Sequence, residues 1–180
     1  MKEYCYRKYE LPIGINADAN HHDEIMDDIN MAIGDVLAKL NEYQISSEMG
    51  MNGASAGGQL AMIYAHKYND HDNINCVASI FGSTASKGWT WYNSTNICLG
   101  GSVVDILAEY AGQPWDDVVY ESVSSYWNIF SNSQPTILFH GSIDPIVHVY
   151  QSQWMNGKVN SLSLAYEYHE YLAFYGYNNT

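Results

Sequence analysis

The chain has 180 residues, 47% of them hydrophobic and 14% aromatic, with 7 basic against 20 acidic side chains and a formal charge of −13. That is the length of one domain with apolar residues enough for a core, and so acidic a surface repels phosphate backbones and anionic membranes, which argues against nucleic acid as a partner. No apolar run approaches the roughly 18 residues of a spanning helix, the opening MKEYCYRKYE has no signal-peptide core, so the chain as written reads as cytoplasmic, and Cys5, Cys76 and Cys98 are too sparse for a zinc site or a disulfide framework.

Residues 3–9 alternate aromatic or Cys with charge and predict a strand, and residues 10–21, with Pro12 and Gly14, predict a loop. Ile25, Ile29, Ala32, Ile33, Val36, Leu37 and Leu40 then recur at helical spacing. Asp23, Glu24, Asp27 and Asp28 suit the positive end of that helix, and explain the dense DANHHDEIMDD stretch without a metal. A strand is expected over 45–52, a helix over 56–68, a polar turn at 69–73 and a buried strand over 75–81. Residues 82–100 predict an irregular loop, followed by short helices within 102–111 and 115–124. A strand at 135–140, a helix within 146–156 and a strand at 162–171 complete the order. Alternating strands and helices predict an α/β domain over residues 1–180, with a three-layer α/β/α arrangement and a mostly parallel sheet of about five strands.

One motif carries chemistry. Gly53-Ala54-Ser55-Ala56-Gly57 is a G-x-S-x-G pattern between an expected strand and an expected helix. A sharp turn there pushes Ser55 Oγ above the sheet and turns the Ala56 N–H towards any carbonyl that Ser55 attacks, at a helix N-terminus. Gly53 and Gly57 are expected to be small because side chains there would meet neighbouring elements. A second feature, His140-Gly141-Ser142-Ile143-Asp144, follows an apolar strand. A carboxylate at the carboxyl end of a parallel strand sits where open α/β sheets hold ligands, and Asp144 can orient a histidine.

With these residues the chain resembles the esterase and lipase branch of the α/β-hydrolase family, close to bacterial carbohydrate-ester esterases. The matching pieces are Tyr6-Arg7, Asp27-Asp28 and Ala32, GASAGGQLA at 53–61, Ser125-Tyr126-Trp127, and QPTILFHGSIDPIV at 134–147. The resemblance implies a partial α/β-hydrolase fold and ester hydrolysis through an acyl-serine, with neither cofactor nor metal. Ser55 would be nucleophile, Ala56 an oxyanion-hole donor and Asp144 the acid. The implied partner is a small ester, carbohydrate-linked esters included.

The chain also departs from that family. It starts at the Tyr-Arg strand, without the strands and His-Gly-Gly loop that supply a second oxyanion donor, and Tyr175-Gly176-Tyr177 stands where the family has its histidine. Among the seven histidines, His169 is the best placed as base, at the end of the last strand. The expectation is therefore an impaired esterase. Its rival is an inactive, truncated hydrolase-like protein that serves as a binding module or has no role of its own. The missing strands and final helix predict an exposed sheet edge at residues 3–9 and an uncovered apolar sheet surface, near Leu164, Tyr166 and Tyr168 or on the opposite face, and hence self-association. The resemblance also implies a lid-like segment at about 83–130 that borders the substrate, and the aromatics mostly in or around it, Trp89, Trp91, Tyr92, Trp115, Tyr126, Trp127 and Trp154, read as packing or as a substrate border.

Overall fold

The computed structural model describes residues 21–86 and 116–173, with short pieces at 95–96, 101–102, 107–108 and 110–114. The expected strand at residues 3–9 and Tyr175 lie outside these, as do Trp89, Trp91, Tyr92 and Trp115.

The acidic-headed helix expected after residue 21 is α1, His21–Ala38. It buries Met26, Ile29 and Ile33, one stripe of its helical repeat. A short α2, Leu40–Tyr43, ends at Gln44, whose φ of 54° turns the chain out of the helix. Strand β1, Met49–Ala54, leads through Ser55 into α3, Ala56–Ile63, which continues as a π-helical turn, Tyr64–Tyr68. Strand β2 is Ile74–Ile80, and β3 (Thr95–Asn96) and β4 (Gly101–Ser102) form a small antiparallel ladder. Short helices α4, Asp117–Ser122, and α5, Ser125–Asn128, precede β5, Thr136–Gly141; α6, Tyr150–Ser161, leads to β6, Tyr166–Tyr171.

The main sheet has the order β1-β2-β5-β6 and every pairing is parallel. This is the α/β class that the alternation of elements predicts, with four strands of the main sheet described. One core joins Met26, Ile29 and Ile33 of α1, Leu60 and Ile63 of α3, Tyr64, Val77, Leu138, and Met155 and Val159 of α6. These helices form a layer against one face of the sheet, as a three-layer α/β/α arrangement requires.

The opposite face of the sheet follows from the register. Asn52 lies beside Ala78, Ala78 beside Ile137 and Ile137 beside Glu167. The next row is Ala54, Ile80, Phe139 and His169. Every residue of both rows is partly or fully exposed, whereas Val77, Ser79, Thr136 and Leu138, which alternate with them, are buried. Leu164 is buried, and Tyr166 and Tyr168 pack against the core, so none of the three lies on this partly exposed face.

A buried polar link ties the helical layer together. His22 is 3% exposed, with Nδ1 2.6 Å from the Tyr110 hydroxyl and Nε2 3.1 Å from that of Tyr68. Burial lowers its pKa from 6.5 to about 4, against the pull of Asp23. Burial likewise lowers that of His66, whose Nε2 bonds Thr136 Oγ1, to about 4. Below pH 6.5 the unfolded chain binds protons that these native imidazoles refuse, so stability falls with pH through the window from 6.5 to about 4. The full His22 shift corresponds to about 3 kcal/mol. Urea unfolding at neutral and at mildly acidic pH checks this, and His22→Gln is expected to flatten the dependence.

Candidate active site

Ser55 sits between β1 and α3 with φ 53° and ψ −123°, a combination that a residue with a Cβ rarely adopts and that costs on the order of 1–3 kcal/mol. Two backbone bonds hold it there: its N–H donates to Ile80 O at 2.9 Å, and its carbonyl accepts from Gln59 N at 3.1 Å. Its hydroxyl caps no amide of α3, and Ala56, the first residue of that helix, is exposed.

The glycines explain why this sequence makes the turn. A Cβ on Gly53 would lie 2.2 Å from Gly57 O and 2.3 Å from Gly57 C, both backbone atoms. The expectation for Gly57 is corrected: a Cβ there meets no atom within 4 Å. The second close approach belongs to Gly58, whose Cβ would come 2.7 Å from Ser79 Oγ, 3.0 Å from Gly53 O and 3.1 Å from Gly82 Cα. Gly58 lets α3 lie directly against β1 and β2. The double glycine of GASAGG is the signal that points to it.

Asp144 lies in the turn after β5. Its Oδ1 accepts from the amides of Ile146 (2.8 Å) and Val147 (2.9 Å), so one oxygen organises the turn. Its Oδ2 is buried, accepts no hydrogen bond from the described residues, and lies 3.8 Å from His140 Nε2. That imidazole is already engaged. Ser152 Oγ is 2.6 Å from Nδ1, and Nε2 is 2.7 Å from Val147 O. Since Val147 O can only accept, Nε2 carries the proton and donates to it, and Nδ1 accepts from Ser152. Burial lowers the His140 pKa, so the ring is a neutral strut under the Asp144 turn.

Ser55 and Asp144 both follow the carboxyl ends of their strands, at the same end of the parallel sheet. Strands β1 and β5 are two places apart, about 10 Å between backbones. His169 stands elsewhere. It is registered beside Phe139 on β6, in the row that begins with Ala54, three places from β1 and so about 14 Å away. Its Nε2 is 2.9 Å from Glu167 Oε2, and its ring stacks on Phe139 (5.0 Å) and Tyr171 (6.4 Å). The structure brings Ser55, Ala56 and Asp144 to one end of the sheet and leaves His169 on its exposed face.

The loop after β2 is anchored. Gln151 Oε1 accepts from the amides of Thr84 (2.9 Å) and Ala85 (2.7 Å), and its Nε2 donates to Ala85 O at 3.1 Å. Tyr126 N donates to Thr84 O at 2.9 Å, so the Ser125-Tyr126-Trp127 stretch docks on the same loop. The sequence does not reveal Gln151, a buried amide on the same helix as the core residues Met155 and Val159.

A parallel sheet with a strained serine between strand and helix, and an acidic turn two strands away, has the architecture of an α/β-hydrolase. The BD-FAE family model matches residues 16–159, and the chain belongs to that α/β-hydrolase family. Solved structures agree in fold. A sugar hydrolase from Lactococcus lactis superposes with a TM-score of 0.69 at 17% identity, over 88% of this chain and 57% of that one. An acetyl ester-xyloside bifunctional hydrolase from Caldicellulosiruptor lactoaceticus gives 0.68 at 20% identity, over 87% and 58%. A carboxylesterase from Lactobacillus plantarum gives 0.63 at 11% identity, over 84% and 54%. The chain thus spans a little over half the length of these structures. No curated protein matches it.

Proposed function

We propose that the protein is a serine esterase of reduced power, hydrolysing small carboxylic esters through an acyl-serine. The observation that carries the reading is the backbone of Ser55, held at φ 53° and ψ −123° between strand and helix. A nucleophile elbow would hold its serine in this way. Such strain persists only where the surroundings over-determine it, and it gathers at reactive positions. Ser55 Oγ attacks the ester carbonyl, and the Ala56 N–H at the start of α3 stabilises the developing oxyanion. Asp144 Oδ2, a buried acceptor with no donor among the described residues, fits an acid that awaits an imidazole N–H. The slow member is the base, because His140 is engaged on both nitrogens and His169 is paired with Glu167. The substrates named for the relatives suggest esters on sugars as the first class to try.

The same engaged histidines favour a second reading, an inactive hydrolase-like binding module. A fluorophosphonate probe separates the two. Slow covalent labelling that Ser55→Ala abolishes is expected for the esterase, with turnover of a short-chain p-nitrophenyl ester following the same pattern. Labelling that survives Ser55→Ala, or none at all, supports the module.

A further inference from the structure

We propose that a cavity at the amino end of the main sheet binds one neutral sugar unit, at a site separate from the serine end and independent of the esterase reading. The cavity has a volume of about 230 Å³ and lies between the π-helical turn Tyr64–Tyr68, the turn that follows it, and the loop that leads into β5. Asp72 stands two residues before β2 and Gln134 two residues before β5, whereas Ser55 follows the other end of β1. The seven residues of β2 set the two ends of the sheet about 20 Å apart.

Part of the wall is held in place. Lys67 Nζ donates to Ser122 O at 2.7 Å, and the Tyr68 hydroxyl is 3.1 Å from His22 Nε2. The Asn69 amide engages Ile74 at both ends: its Nδ2 donates to Ile74 O at 3.2 Å, and its Oδ1 accepts from Ile74 N at 3.1 Å. π-Helical turns are rare and gather at functional sites, and this one brings His66, Lys67 and Tyr68 into the wall. His66 adds a buried acceptor. The Thr136 hydroxyl gives its proton to Gln134 O at 3.1 Å, so it accepts from His66 Nε2–H at 3.0 Å. Nδ1 is then the unprotonated nitrogen, buried and without a partner among the described residues. The side chains of Asp70, Asp72, Asn132 and Gln134 complete the polar lining and bond none of the described residues.

The chemistry of the lining selects the ligand. Apart from Ala65 and Phe130 the lining residues are polar, so an apolar molecule finds no match. Asp70 and Asp72 repel an anion, and Lys67 opposes a cation. A neutral molecule dense in hydroxyls fits, because each hydroxyl both donates and accepts. The carboxylates, the amide oxygens and His66 Nδ1 take its protons, and the amide N–H groups of Asn132 and Gln134 give theirs. Phe130, 57% exposed, offers a flat apolar surface on which the C–H side of a sugar ring can pack. Sites for drug-sized molecules run from about 300 to 1,000 Å³. The smaller volume here suits a single ring, whether a free sugar or the end of a chain.

The test uses the full chain and saturation-transfer NMR with the methyl glycosides of a hexose and of a pentose, a disaccharide of the hexose, and choline and inorganic phosphate as charged controls. A methyl glycoside is expected to bind in the millimolar range, as so small a contact implies, and to do so equally well when salt is raised. Phe130→Ala and Gln134→Ala should each weaken that binding about fivefold or more. Phe130 is exposed and Gln134 half-buried, so both variants should fold, which circular dichroism verifies. A disaccharide that binds as well as the monosaccharide assigns the site to a chain end, and one that is excluded assigns it to a free sugar; both support the proposal. Glycoside binding that neither substitution weakens lies elsewhere on the molecule and overturns it. So does the absence of glycoside binding at tens of millimolar, and so does choline or phosphate binding that Phe130→Ala abolishes while both glycosides fail. Ester turnover enters none of these readouts, so the result is separate from the fate of the esterase reading.

Discussion

Gly53→Ala is expected to remove the folded turn, while Gly57→Ala, four residues on, is tolerated. The added Cβ at Gly53 would lie 2.2 Å and 2.3 Å from the carbonyl oxygen and carbon of Gly57 and 2.8 Å from Gly58 N. These are backbone atoms at the start of α3, so no side chain can swing aside. Relief requires α3 to move away from β1, which breaks the approach that Gly58 makes to Ser79 and Gly82. Overpacking in cores costs about 1–3 kcal/mol even where side chains can adjust. A clash against backbone belongs above that range, a large share of the roughly 5–15 kcal/mol that holds a domain folded. At Gly57 the added methyl meets open space, and alanine favours the helix by up to about 1 kcal/mol. Urea unfolding of the two variants checks the contrast. A Gly53→Ala protein within about 1 kcal/mol of the parent would show the contact to be softer than its geometry implies.

This contrast shows where the sequence was legible. The GASAGG spacing announces strand, turn and helix, because only small residues tolerate so sharp a passage. It does not say which Cβ vectors point at a neighbour, and that depends on how α3 leans on β2. Helix α1 was readable from its apolar repeat, since a stripe of isoleucines has one way to bury itself. The helix after Asp144 begins at Tyr150 rather than near residue 146, because Asp144 Oδ1 captures the amides of Ile146 and Val147 in a turn. The last strand begins at Tyr166 rather than residue 162, because α6 runs on to Ser161 and Leu164 is buried in the turn beyond it. The site was half legible. Residues next to a strand-to-helix passage are fixed by local chain geometry, as Ser55 and Asp144 are. Alternation along β6 gives the face of His169 but not its row, and the row depends on register across four strands.

Tyr175→His is expected to raise the rate of Ser55 acylation by roughly 100-fold or more, the low end of what a positioned general base contributes. The chain leaves β6 beside the acidic turn: Ser142 N donates to Tyr171 O at 2.8 Å, and Ile143 N to Ala173 O at 3.3 Å. Residue 175 follows Ala173 by two positions, a reach of about 7 Å from a point already against residue 143. A tyrosine, with its ordinary pKa of about 10, is a poor base at neutral pH. An imidazole there could donate one N–H to Asp144 Oδ2, which has no partner among the described residues, and turn its other nitrogen towards Ser55. The two oxygens of Asp144 make the prediction sharp. In the Tyr175→His background, Asp144→Asn keeps an oxygen for the amides of Ile146 and Val147 but replaces the free acceptor with a donor. The gain should vanish with little change in unfolding. Asp144→Ala removes both oxygens, so it should lose the gain and also destabilise the fold by about 1–3 kcal/mol, through the buried Val147 amide and the part-buried Ile146 amide left without an acceptor. Labelling rates with a fluorophosphonate, read beside urea unfolding of the same proteins, separate the oxygen that does chemistry from the oxygen that shapes the turn. If the gain persists in Asp144→Asn, the free oxygen has no part in the reaction.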